Sequence, residues 1–218
     1  MILCLTAPCS CLLDPLRLEA ALAALPDWRQ AQLRARTSPE HRAAGAAAWL
    51  LVELGARRLG ISLPPSPPAR SPHGKPYFPD LPRFSFNLSH SGHRSLCLVS
   101  DDSQKLGCDL EQLRPLPQWE KLAGRFFHPL ELDWLHRQQQ PETAFFRLWC
   151  EKEAVIKATA AGFSRGMKWF SLRGETPQTL PPVRMAKTTE EYAYALCLEQ
   201  GRRVVPIEEV NLTENCPI

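Results

Sequence analysis

No apolar run in this 218-residue chain reaches the ~18 residues that a membrane-spanning helix needs, so a membrane protein is not expected. No basic stretch precedes the apolar opening Met1–Leu13, and Pro8 interrupts it. A secretory leader is therefore not expected, and the reading places the protein in the cytoplasm. No Cys-x-x-Cys pair occurs among the eight cysteines, which argues against a zinc site. Most of them sit in apolar runs, such as Leu96-Cys97-Leu98 and Leu196-Cys197-Leu198. They read as buried thiols acting as small hydrophobes in a reducing compartment. Charge of one sign is scarce too. With 26 Lys and Arg against 23 Asp and Glu, the net charge is +3, too little to argue for nucleic acid by itself. No Gly-x-Ser-x-Gly segment provides a serine nucleophile elbow.

What is present is an ordinary globular composition, 44% hydrophobic and 22% charged, on a length that suits one large domain or two small halves. Ile2–Thr6 reads as a strand. Asp14-Pro15 is a cap followed by proline at the first helical position, predicting a helix to Pro26. Asp27 opens a second helix to about Arg36. Ser38-Pro39 opens a long third one that ends at Gly60, a suitable residue just past a helix C-terminus. Eight of the 21 prolines fall between residues 61 and 83, a density that predicts an extended connection without regular elements. Strands follow at Phe84–Leu88 and Leu96–Ser100, joined by a Ser89-His90-Ser91-Gly92 turn, and then at Lys105–Glu111. Helices are expected near Pro117–Phe127, Pro129–Gln138 and Pro141–Gly162, with strands around Val183–Ala186, Tyr192–Leu198 and Val204–Val210.

Both stretches run strand, helices, long helix, then paired strands. The predicted class is α+β: two similar α/β halves packed as a pseudodimer, each a long helix against a small, mainly antiparallel sheet. The boundary is placed between a half at 1–102 and a half at 103–218.

Four segments can carry chemistry. In Gly107-Cys108-Asp109-Leu110-Glu111, the two-residue strand period puts Asp109 and Glu111 on one face. Two neighbouring carboxylates repel, so they are either solvated surface acids or share a hard divalent cation. In Trp149-Cys150-Glu151-Lys152-Glu153-Ala154-Val155-Ile156-Lys157, helical spacing puts Trp149, Glu153 and Lys157 on one stripe and Glu151 on another face. That stripe is either an ordinary i,i+4 ion pair or part of a site. The hydroxyls and imidazole of Ser89-His90-Ser91 could hold a phosphate, or merely decorate a hairpin. Gly74-Lys75-Pro76 places a lysine in the extended loop.

Singly these segments are weak signals, but their order and spacing together are specific. Gly-Lys-Pro, then Phe86–Gly92, then Leu106–Glu111, then Arg147–Lys157 resembles the 4′-phosphopantetheinyl transferases over about residues 70–165. The chain most resembles the larger, pseudodimeric bacterial holo-acyl-carrier-protein synthases typified by the surfactin synthetase activator. The resemblance implies transfer of the phosphopantetheine arm of coenzyme A onto a carrier-protein serine, with release of adenosine 3′,5′-bisphosphate. It implies that Asp109, Glu111 and Glu153 hold Mg2+, and that Lys157 meets the pyrophosphate. It further implies that Glu153 takes the serine proton, directly or through water. Ser89 and His90 match coenzyme A phosphate contacts, and Lys75 with Gly74 matches the loop beside the adenine. Arg42 is favoured over Arg29, Arg34 and Arg36 for the 3′-phosphate. Coenzyme A is expected between the two halves.

Glu151 stands out as an extra acid, expected to face solvent. The implied partner is an apo acyl or peptidyl carrier protein, docking on Arg114, Lys121 and Arg125 with Trp119, Phe126 and Phe127, unless those aromatics are core. No nucleic-acid or membrane partner is expected, and a monomer is, because two fused halves would supply each other's interface. Two other functions stay open. One is a non-catalytic homologue that binds coenzyme A or carrier. The other is a small basic nucleic-acid-binding protein, which leaves the acidic motifs unexplained.

Overall fold

The computed structural model describes residues 1–102, 105–159, 166–174, 180–199 and 205–216. The chain divides into two compact units. The first takes Met1–Ser71, Pro76–Gln104 and Val205–Ile218; the second takes Pro72–Lys75 and Lys105–Val204.

The first unit opens with strand β1 (Ile2–Pro8) and a short 3-10 turn at Ser10–Leu13. Helix α1 (Pro15–Ala23) starts where its sequence directs. Asp14 accepts the Arg17 amide at 3.0 Å, and Pro15 occupies a first-turn position that needs no N–H. Helix α2 (Asp27–Arg34) and the 20-residue helix α3 (Pro39–Arg58) follow. Ser38 caps α3 by accepting the His41 amide at 3.1 Å, and Gly60 ends it at φ +72°. From Ala43 to Ala56 nearly every residue of α3 is buried, because Ala and Gly let the sheet approach closely; Gly55 sits against Val99.

The proline-rich stretch departs from expectation in one respect. Ala69–Arg70 (β2) and Pro76–Tyr77 (β3) form a two-residue antiparallel ladder, since a pairing this short asks for few N–H donors. A second difference concerns the serine–histidine turn. Strand β4 (Ser85–Ser91) continues through Ser89, His90 and Ser91, which pair with Leu96, Ser95 and Arg94 of β5 (Arg94–Ser100). The turn is confined to Gly92-His93, where glycine takes φ +55°.

The second unit holds β6 (Leu106–Gln112), α4 (Trp119–Phe126), α5 (Pro129–His136), the 19-residue α6 (Pro141–Thr159), β7 (Val183–Thr188) and β8 (Tyr192–Leu198). Its antiparallel sheet runs β6-β8-β7, with Asp109 opposite Ala195. Helix α6 packs on this sheet through Ala154, Val155 and Ala158, alongside Phe127, Phe145 and Phe170 in one core.

The chain then returns to the first unit. Strand β9 (Ile207–Glu209) lies parallel to β1, completing the sheet β4-β5-β1-β9, and α7 (Leu212–Asn215) follows. The expected helix end at Gly162 and strand start at Val204 lie outside the described residues. None of the eight cysteines is joined in a disulfide, and six are buried. No described helix is long and apolar enough to cross a membrane.

Candidate active site

The site is built where β6 meets α6. Gly107 permits the contact: a Cβ there would run into the Ala154 carbonyl oxygen and the Ala158 amide nitrogen of the helix. With backbone on backbone at this point, the side chains two residues along the strand and on the facing turn of α6 come together. Asp109 is 3% exposed and Glu153 7% exposed, both unusual for carboxylates. The Lys157 amine donates to Asp109 Oδ1 at 2.7 Å and to the Cys108 carbonyl at 3.3 Å. Burial works against its charge, yet the Asp109 carboxylate carries the Lys157 amine above its ordinary range. Burial, with Asp109 and then Glu111 as like charges, pushes the Glu153 carboxyl up to about 7, against the pull of Lys157. Asp109, Glu111, Glu153 and Lys157 thus share one electrostatic field. Glu111 is half-buried, beside a cavity of about 190 Å³ that Arg114, Phe145, Phe146 and Trp149 help to line.

Lys75 also belongs to this unit. Its amine donates to the Leu106 carbonyl at 2.9 Å and the Ala158 carbonyl at 3.5 Å, and burial pulls it down to about 8. Ser89, His90 and Arg42 belong to the first unit. Ser89 is buried, His90 is exposed on β4, and Arg42 sits in the first turns of α3. The Arg42 Nε is buried and has no acceptor among the described residues. Arg29 instead lies over Trp49, 5.5 Å from the ring centroid, and donates to the Gly45 carbonyl at 3.1 Å. Burial, then Arg36 and Arg70, lower its guanidinium to about 10.

Glu151 does not face solvent. It is 3% exposed, bridged to Arg147 at 3.1 Å and to Arg173 at 2.6 Å. Its helix face looks onto a segment that supplies a cation, and nothing local in the sequence announces that. Phe127 is fully buried and belongs to the core, which removes it from a docking surface. Lys121 and Arg125 stay exposed on α4, and Arg125 lies over Phe126. Sequence reasoning missed Lys152. Its amine is fully buried and donates to both Glu131 oxygens, at 2.8 and 2.7 Å, and to the Phe170 carbonyl at 2.7 Å. The only local signal was its place between Glu151 and Glu153.

The donor chemistry of Asp109, Glu111 and Glu153 suits a hard divalent cation such as magnesium, being all oxygen and mutually repelling. Among the described residues, no three such groups are already gathered to hold a metal, and Asp109 faces Lys157.

The buried Asp109 and Glu153 and the half-buried Lys157 thus lie between an edge strand and a long helix. Residues 105–207 match the profile of the 4′-phosphopantetheinyl transferase superfamily. A Bacillus subtilis 4′-phosphopantetheinyl transferase is 38% identical over 138 residues, 57% of this chain and 59% of the relative. The 4′-phosphopantetheinyl transferase Sfp of Bacillus subtilis strain 168 is 40% identical over 103 residues, 46% of this chain and 44% of the relative. The 4′-phosphopantetheinyl transferase AcpT of Escherichia coli K12 is 44% identical over 88 residues, 38% and 44% of the two chains. The chain thus spans about half the length of the curated relatives it matches.

One consequence concerns pH. A carboxyl raised in the folded state favours the protonated form, so its contribution to stability is full below the ordinary carboxylate range. That contribution is lost as pH rises through about 7. Thermal melts of the metal-free protein in chelator should fall between pH 5 and about 7.5, and Glu153→Gln should flatten that slope. An unchanged slope in the variant would place the titrating group elsewhere.

Proposed function

We propose that this protein transfers the 4′-phosphopantetheine moiety of coenzyme A to a serine hydroxyl of an apo acyl or peptidyl carrier protein, releasing adenosine 3′,5′-bisphosphate. The observation that carries this reading is the joining of buried Asp109 and Glu153 with half-buried Lys157 inside the matched segment. In this reaction the serine oxygen bonds to the phosphorus that bears pantetheine, and the bond from that phosphorus to the bisphosphate oxygen breaks. Lys157, held positive, faces the negative charge that builds on the departing phosphate. Glu153, titrating near neutrality, accepts the serine proton directly or through water. Asp109 keeps the Lys157 amine charged and aimed. Magnesium, held by Asp109, Glu111 and Glu153, would supply charge neutralisation of the pyrophosphate.

His90 and Ser89 contact coenzyme A phosphates in this reading, and the Gly74–Lys75 loop lies beside the adenine. Because the Lys75 amine is engaged by the Leu106 and Ala158 carbonyls, its loop backbone is the part that faces the base. The buried Arg42 Nε supports that residue as the 3′-phosphate ligand. Exposed Lys121 and Arg125, with Arg114 and the neighbouring cavity, suit an acidic carrier helix. The protein works in the cytoplasm as a monomer, with no nucleic-acid or membrane partner.

The test is incubation with coenzyme A, magnesium and a panel of apo-carrier proteins, read by mass spectrometry. A gain of one phosphopantetheine on the carrier serine is expected. A protein that binds coenzyme A yet modifies no carrier would be a non-catalytic homologue, and the proposal would fall. His90→Ala should raise the KM for coenzyme A about tenfold, as expected for losing one charge-assisted hydrogen bond, with kcat little changed. A large kcat loss at unchanged KM would contradict the binding role.

A further inference from the structure

Away from the reacting groups, α6 uses two consecutive residues in a second charged centre. The three donors of the Lys152 ammonium go to the two Glu131 oxygens and the Phe170 carbonyl, and Lys152 and Glu131 are both fully buried. Glu131 also accepts the Leu172 amide at 2.8 Å and the His128 amide at 2.9 Å. One residue earlier, Glu151 bridges to Arg173, whose guanidinium lies 4.1 Å from the Trp134 ring centroid. Ser171 closes the turn, accepting the Arg173 amide at 3.0 Å and donating to the Arg173 carbonyl at 2.9 Å. Phe170–Arg173 are thereby tied to both α5 and α6.

The contact of α6 with β6 explains what these ties add. At Gly107 the helix meets the strand backbone to backbone at Ala154 and Ala158, so this one contact sets how closely the helix approaches but offers no side chain to interlock against sliding. A slide of one residue is only ~1.5 Å, yet reacting groups need placement within about 0.5 Å. Directional bonds at residues 151 and 152 break on such a slide. Apolar packing of the same volume is often equally stable but lacks that direction.

We propose that Glu151–Arg173 and Lys152–Glu131 form a double latch that sets the axial and rotational register of α6, so that Glu153 and Lys157 meet β6. These four are positioning residues, and the inference rests on the transfer reaction assigned above to the same helix. The experiment uses the full chain with coenzyme A, magnesium and an apo-carrier protein, comparing the parent with Arg173→Met, Arg173→Lys and the apolar pair Glu131→Leu with Lys152→Met. Hydrogen exchange of the α6 amides from Glu153 to Thr159 is followed in each, without substrates. The expected result is faster exchange there in Arg173→Met. Its kcat should be about tenfold lower or more, at a KM for coenzyme A within about threefold. Arg173→Lys should restore part of both, and the folded apolar pair should behave as Arg173→Met does. Should the apolar pair fail to fold, Arg173→Met decides alone, its side chain being the more accessible. Parent-like exchange and kcat in Arg173→Met would overturn the latch. A parent protein that modifies no carrier would instead overturn the transfer reading, and exchange alone would still decide the latch.

Discussion

Replacing Asp109 with asparagine is expected to lower kcat for carrier modification by ~10²–10³, the usual cost of removing one preorganised electrostatic group from a water-poor site. The carboxylate faces the Lys157 amine at 2.7 Å and is 3% exposed, so its charge acts with little screening. Asparagine keeps an oxygen for Lys157 and the shape of the side chain, but removes the negative charge. The lysine then loses the partner that holds it protonated, and one of the three proposed magnesium ligands loses its charge. Initial rates at saturating coenzyme A and magnesium decide the matter. A variant within tenfold of the parent would remove Asp109 from the site. Asp109→Ala should be worse, because it also strips the lysine of its Asp109 acceptor and leaves a half-buried ammonium with less compensation.

Gly107→Ala is expected to destabilise the fold by about 3 kcal/mol or more, at the upper end for overpacking. The added methyl meets the Ala154 carbonyl oxygen and the Ala158 amide nitrogen, both backbone atoms. Neither can rotate aside as a flexible side chain could, so strand and helix must separate. Separation also pulls Glu153 and Lys157 from Asp109, so activity should fall further than the loss of folded protein explains. Urea unfolding together with kcat measured at low temperature, where the variant is folded, separates the two effects. An alanine variant with parent-like midpoint and rate would show that α6 does not rest on β6 at this point.

Local capping chemistry was legible because it is short-range. Ser38-Pro39 and Asp14-Pro15 begin helices where the sequence places them, and Gly60 ends α3 in the left-handed conformation that glycine adopts easily. The motif segments were legible for a related reason: the two-residue and four-residue periods put Asp109 with Glu111 and Glu153 with Lys157 before any tertiary contact is known. The Ser89-His90-Ser91 run was misread as a turn because its polarity outweighed a pairing with β5 that only the hairpin register reveals. Glu151 was misread because helical spacing says which face a residue occupies, not what covers that face. The covering cation, Arg173, lies 22 residues further along the chain.

By itself, then, the sequence determined the α+β class, the long helices and their caps, the absence of a membrane-spanning run, and the acids and lysine that resemble a phosphopantetheinyl transferase. Those depend on composition, on nearest-neighbour geometry and on fixed periods. Only the tertiary structure decided that Ile207–Glu209 pair with β1, that the Lys75 amine caps the Leu106 and Ala158 carbonyls, and that Glu151 and Lys152 are tied to Phe170–Arg173. Each of these joins residues far apart in the chain, and each is held by burial. A charge removed from water must find its partner wherever the fold supplies one, and no local pattern records where that will be.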